Sequence, residues 1–250
     1  MADTLDVIDP AQRTAAKVAA LAYLIPVAFV VTANFGLRGP LFVRGDTAET
    51  IRRIAASESL FRLSVAFDLV YCVGVVVLLA ALYVVLGPVN RHLAQLASVL
   101  KLVYAVTAVL MALSFQTIVR LVTDPAYQAL PPKALQALVR INSAAPAQQY
   151  YVGLAFWSLS ATVFGWLWLK SRYIPAALAV VGIVSAAWCV LCTFAYIINP
   201  AFAGVVNLWW FDTPFALFDV TLSFWLLFKG LNSPAAMPVA RGQATFASAG

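Results

Sequence analysis

Six stretches of the chain are apolar over long runs, near residues 17–36, 60–86, 93–120, 149–169, 174–197 and 213–230. A hydrocarbon core about 30 Å thick is crossed by ~20 helical residues, so each run is a candidate span. Lipid offers no partner to an open backbone N–H or C=O. The pattern therefore predicts helices throughout and an all-α, polytopic bundle of six transmembrane helices. The organisation it implies is an N-terminal segment over 1–16, a membrane domain over 17–232 and a tail over 233–250. That tail, rich in Ala, Pro, Gly and Ser, has the composition of a disordered end. The leader carries Asp3, Asp6 and Asp9 in place of a positive region, so the first run reads as a retained helix and not a cleaved signal.

Two long connections have patterns of their own. In "GDTAETIRRIAASES", Asp46 is placed to cap a helix and Glu49, three residues on, to complete a capping box. In "PPKALQALVRINSAAP", Leu135, Leu138 and Val139 recur at helical spacing behind a Pro-Pro start, as in a short interfacial helix. Both connections lie on one side of the membrane, where they read as shielding helices or as a lid. Tyr150, Tyr151, Trp209, Trp210 and Phe211 are expected to mark that interface, and Trp166, Trp168 and Tyr173 the other.

Composition agrees with the pattern: 63% of the residues are hydrophobic, 10% are charged, and mean hydropathy is +0.91. A soluble domain carries about 25% charged residues. The net charge of +6 comes from basic residues scattered singly at the ends of apolar runs. Anchoring and orienting helices accounts for them better than nucleic-acid binding, which we exclude. His92 is the single histidine, and carboxylates do not cluster at ligand spacing, so no metal, haem or other cofactor is expected. Cys72, Cys189 and Cys192 all lie in apolar runs. The "CVLC" pair resembles that of quinone-linked disulfide enzymes in one feature. Those enzymes need a second cysteine pair, and the plainer reading is two small apolar residues one turn apart.

Basic residues divide evenly between the two sides. Those on the terminal side sit in tight hairpins and at helix ends, where they orient a helix most strongly, so both termini are expected in the cytoplasm.

Charges inside the apolar runs carry the functional expectation. At 1.5 Å per residue, Asp68 falls about 12 Å and Asp219 about 9 Å below the outer edge. Gln116 lies about 6 Å deep with Arg120 one turn above it, and Lys101 about 12 Å from the inner face. Glu58 and Arg62 are four residues apart, the spacing of a helical ion pair. A charge near the bilayer centre costs at least ~2.5–3.5 kcal/mol, so such groups turn inward and find partners. One reading is an outward-opening polar cavity built from Glu58, Arg62, Asp68, Lys101, Gln116, Arg120 and Asp219. In it Arg62, Lys101 and Arg120 would be available to an anionic group. The other reading is a set of register-fixing pairs, Glu58–Arg62 and Asp68–Lys101.

The pieces "LFVRGD", "SESLFRLSVAFDL", "LYVVLGPVNRHLAQLASVLKLV" and "FGWLWLKSRYIPAALAVVG" occur in this order over residues 15–232. Together they resemble the bacterial membrane family called "domain of unknown function 4386". The resemblance implies a six-helix protein of the bacterial inner membrane and supplies no activity and no catalytic residue.

Three functions fit these observations. The first is binding of a small molecule or lipid in the polar cluster, permease-like carriage included. The second is a membrane enzyme, a cyclase or isomerase in which Asp68 or Asp219 gives a proton to an apolar substrate. The third is an accessory subunit whose charges set helix pairing. Beyond the bilayer and such a ligand, the sequence implies no partner, and it leaves the oligomeric state open.

Overall fold

The computed structural model describes residues 8–232, and the predicted tail over 233–250 lies outside the described residues. Among them there is no strand, and six helices are long and apolar enough to cross a membrane. The helices are α1 (Pro10–Val31), α2 (Thr47–Ala56), α3 (Glu58–Leu86), α4 (Arg91–Thr123), α5 (Pro125–Gln128), α6 (Pro132–Ser171), α7 (Ala176–Ile198) and α8 (Leu208–Phe228). The spans are α1, α3, α4, α6, α7 and α8. They form a closed ring: α1 packs on α3, α3 on α4, α4 on α6, α6 on α7, α7 on α8, and α8 on α1.

Local chemistry sets the ends of these helices. Asp9 caps α1 by accepting from the Ala11 N–H, while Gln12 accepts from the Asp9 N–H at 3.1 Å, which closes a capping box. The Gln12 amide also donates to the Val85 carbonyl at 3.0 Å and to the Tyr173 hydroxyl at 3.3 Å. One side chain thus starts α1 and ties it to the end of α3 and to the α6–α7 hairpin. Asn90, in the "PVNRHLA" turn, caps α4 by accepting from Leu93 N–H at 3.0 Å. Pro26 sits inside α1, and Gly74 of α3 lies against its ring so closely that a Cβ there would collide with it.

Large apolar side chains cover the outside of the ring, among them Val73, Val184 and Leu191. In water such a surface would drive association, whereas against lipid tails it carries no such cost. The main core joins Tyr23, Val75, Leu78, Trp157, Phe164, Trp168 and Phe215 from across the ring. A second cluster sits towards the face that holds α2, formed by Ile54, Phe61, Phe115, Ile118 and Val139. We call this the loop face and the opposite one, where α1 begins and α8 ends, the terminal face.

Three local expectations change. The segment expected as a separate helix behind Pro131-Pro132 is the first part of α6, which runs unbroken through Pro146 for 40 residues. At 1.5 Å per residue it is about 60 Å long, twice the hydrocarbon thickness, so its N-terminal half stands beyond the span. At α2 only half of the capping box forms. Asp46 accepts from Glu49 N–H at 2.8 Å, but the Glu49 carboxylate turns away to Arg52 and Arg53. Tyr150, expected to mark an interface, turns its hydroxyl inward to Asp212 and lines the interior of the ring.

Candidate functional site

α1 leads into a π-helical turn, Thr32–Arg38. The wider turn brings Asn34 and Arg38 onto one side, and Gly39 makes it possible, because a Cβ there would collide with the Asn34 carbonyl oxygen. From this turn Arg38 reaches across to α3. Its Nη1 donates to Asp68 Oδ2 at 2.5 Å, and its Nη2 donates to Asp68 Oδ1 at 3.2 Å and to Asn34 Oδ1 at 2.6 Å. The guanidinium lies 3.6 Å from the centre of the Phe115 ring. Arg38 is 3% exposed and Asp68 7%, so a bidentate ion pair is buried between an irregular turn and a helix.

Around this pair opens a cavity of about 510 Å³. Val27, Val30, Met111, Phe115 and Leu208 form much of its apolar wall. Its polar lining comprises Asn34, Arg38, Asp68, Tyr71, Tyr104, Tyr150 and Asp212. The exposed rings of Phe35 and Trp209, 6.2 Å apart, lie on its rim where α1 meets α8. Asp212 accepts from the Tyr150 hydroxyl at 2.7 Å, and the Tyr71 and Tyr104 hydroxyls are 2.7 Å apart.

The interior continues downward through smaller spaces. Tyr71, Tyr104, Tyr150 and Asp212 also border a cavity of about 90 Å³ with Tyr23, Trp157 and Asp219. Below it, Lys101 and Asp219 line a space of about 30 Å³ with Tyr23 and Trp157. The Trp157 indole N–H donates to Asp219 Oδ2 at 3.3 Å, and the Lys101 ammonium lies 3.5 Å from the centre of a Trp157 ring. Lys101 is about 15 Å from the start of α4, and Asp219 about 16 Å from the start of α8. Both sit near mid-depth, and Asp219 is deeper than its estimate because α8 begins five residues earlier than its apolar run. Around this axis α1, α3, α4, α6 and α8 all contribute an aromatic or charged side chain.

The structure thus brings Asp68, Lys101 and Asp219 into the interior, and the other expected residues do not line the three cavities described above. Glu58 and Arg62 pair at 2.6 Å on the outside of α3, with side chains 41% and 45% exposed. Arg120 is exposed at the end of α4, and Gln116 is half-buried without lining the cavity. Asp68 pairs with Arg38, not with Lys101. Of the three cations expected at an anion site, Arg62 and Arg120 face outward, and Lys101 stays inside but against Trp157 on the smaller space below. The Arg38 fork is engaged by Asp68 and Asn34. Arg38 and Asp212 are the residues that the sequence reading missed. A signal existed for Asp212, which is seven residues, two helical turns, from Asp219 and so shares its face. Cys72, Cys189 and Cys192 are free and buried.

A ring of six apolar helices around a polar axis defines a multi-pass membrane protein. Over residues 18–230 the chain matches the family described as "Domain of unknown function (DUF4386)", and it belongs to that family. Neither the curated proteins nor the solved structures give a match.

Proposed function

We propose that the protein binds a small amphipathic molecule or lipid in the cavity at the loop face. The observation that carries this reading is the cavity itself. About 510 Å³, a mainly apolar wall and a few convergent polar groups are the features of small-molecule sites, which run from ~300 to 1,000 Å³. The π-helical turn at Thr32–Arg38 supports it, since such turns inside longer helices are frequent at functional sites. The ligand-contacting residues in this reading are Asn34, Arg38, Asp68 and Asp212, with Lys101 and Asp219 below them. Glu58, Arg62, Gln116 and Arg120 drop out.

An acid-catalysed cyclase or isomerase needs an acid set alone against an apolar wall. Asp68 has both oxygens engaged by Arg38, and Asp219 shares its small cavity with Lys101, so the geometry favours binding over that chemistry.

The same reading places the membrane domain in the bacterial inner membrane with the terminal face in the cytoplasm. Arg13, Lys17, Arg91, Lys170, Arg172 and Lys229 support that orientation, while the loop-face cations are offset by Asp46, Glu49, Glu58 and Asp124. α2 and the start of α6 then lie at the outer interface and flank the cavity mouth.

Native mass spectrometry of the protein purified from its own membranes tests the binding reading. A co-purified mass is expected on wild type and not on Ala108→Phe, which fills the cavity from α4. A bare wild-type protein, or the same mass on both, would overturn it.

A further inference from the structure

The charges around the cavity do not balance, and the imbalance has a sign. Arg38 and Asp68 neutralise one another in a closed bidentate pair. Asp212 is the remaining charged group of the lining, and the hydrogen bond it receives comes from a neutral phenol, Tyr150. Among the described residues no Lys, Arg or His nitrogen lies within 4.0 Å of it. Lys101, the other interior cation, lies below on a different small cavity, stacked on Trp157. Asp212 is half-buried about one turn inside the start of α8. A carboxylate partly withdrawn from water without a cation carries a desolvation cost, and a ligand that brings a cation offsets it.

The surroundings say what kind of cation fits. Hard cations such as Ca2+ and Mg2+ take about six or more oxygen ligands, and among the described residues no three His, Cys, Asp or Glu side chains group to hold a metal. Asp212 instead sits one helical turn from Trp209, whose exposed ring forms the rim with Phe35. A carboxylate next to aromatic faces is the environment that recognises an alkylammonium, by ion pairing and by cation–π attraction. Beyond it, the apolar wall of Val27, Val30 and Met111 suits a hydrocarbon tail.

We infer that the cavity takes an amphiphile with a cationic amine head, the ammonium against Asp212 and Trp209 and the tail along α1 and α4. This rests on the binding reading above and narrows it to one class of ligand.

The test uses full-length protein in a neutral glycoside detergent, which carries no ammonium group, and three probes with the same tail: dodecylamine, dodecanol and dodecanoate. Binding is read by native mass spectrometry at neutral pH on wild type, Asp212→Asn, Asp212→Glu and a cavity-filled variant, Val30→Trp. Dodecylamine is expected to bind wild type about tenfold more tightly than dodecanol, with dodecanoate weakest, since a close charge pair is worth at least that much. Asp212→Asn should bring the amine down to the alcohol, and Asp212→Glu should keep the preference. Equal binding of all three probes, lost in Val30→Trp, would leave the cavity a ligand site and overturn the amine head. Preference for dodecanoate would overturn it as well. Binding of every probe unchanged by Val30→Trp would remove the site itself and both readings with it.

Discussion

α3 carries two ion pairs six residues apart, and they differ in almost everything that decides what a pair does. Glu58–Arg62 lies along one helix face with both side chains more than 40% exposed. Asp68–Arg38 crosses from α3 to the π turn, is buried, and is bidentate. The first forms wherever α3 is helical, since four residues set the reach. The second forms only if the turn after α1, the α1–α3 packing and the Phe115 ring are all in place. One pair reports secondary structure and the other reports the assembled bundle.

The contrast predicts a large asymmetry. Removing one partner of the buried pair leaves an uncompensated charge at depth, so Arg38→Met or Asp68→Asn should each cost about 3–5 kcal/mol of stability. The double variant Arg38→Met/Asp68→Leu should recover most of that loss, because no charge remains to be buried. Unfolding of the three variants in mild detergent checks this, and a double variant as unstable as the singles would show that the pair contributes more than its own compensation. Gly39→Ala comes next. The methyl must push the Asn34 carbonyl aside, and overpacking of this kind costs about 1–3 kcal/mol. If the turn is what aims Arg38, Gly39→Ala should also weaken binding in the proposed site while Arg62→Ala leaves it unchanged, which a binding titration reads directly.

The smallest effects belong to the exposed pairs. Arg62→Ala should change stability by less than about 0.5 kcal/mol. At α2, hydrogen bonds from Arg53 and then Arg52 hold the Glu49 carboxyl below its ordinary value. A carboxyl lowered in the folded state adds stability above its unfolded value and loses it as pH falls through the folded one. Glu49→Gln should therefore match wild type in melting near pH 3 and fall slightly below it at pH 7. A difference as large as that of the buried pair would end the distinction between the two classes.

The same contrast explains what was legible in the sequence. The spans were, because apolar run length is a local property that the bilayer reads segment by segment, and the 58–62 pair was, because its spacing is local too. Arg38 was not. It looked like one more basic residue in an outer loop, and its pairing with Asp68 depends on which helices are neighbours. Lys101 looked like Asp68's partner because depth alone made the two compatible. The ring order instead puts Lys101 beside Trp157 and Asp219. Asp212 was lost to a boundary, since the apolar run starts at 213 while α8 starts at Leu208. The unbroken α6 was hidden by Pro146, which predicts an interruption that packing overrides.

Closure of the ring by α8 against α1 has a consequence in time. Neighbours elsewhere in the ring follow one another along the chain, so each can pack as soon as it is inserted. The contact between α1 and α8 waits for synthesis to reach Phe228. Until then Val27, Val30 and Tyr23 border an open groove facing the bilayer, and Asp212 and Asp219 have not yet entered it. Among the spans, the wall that α8 supplies is the last to arrive, so the cavity closes only when α8 packs against α1.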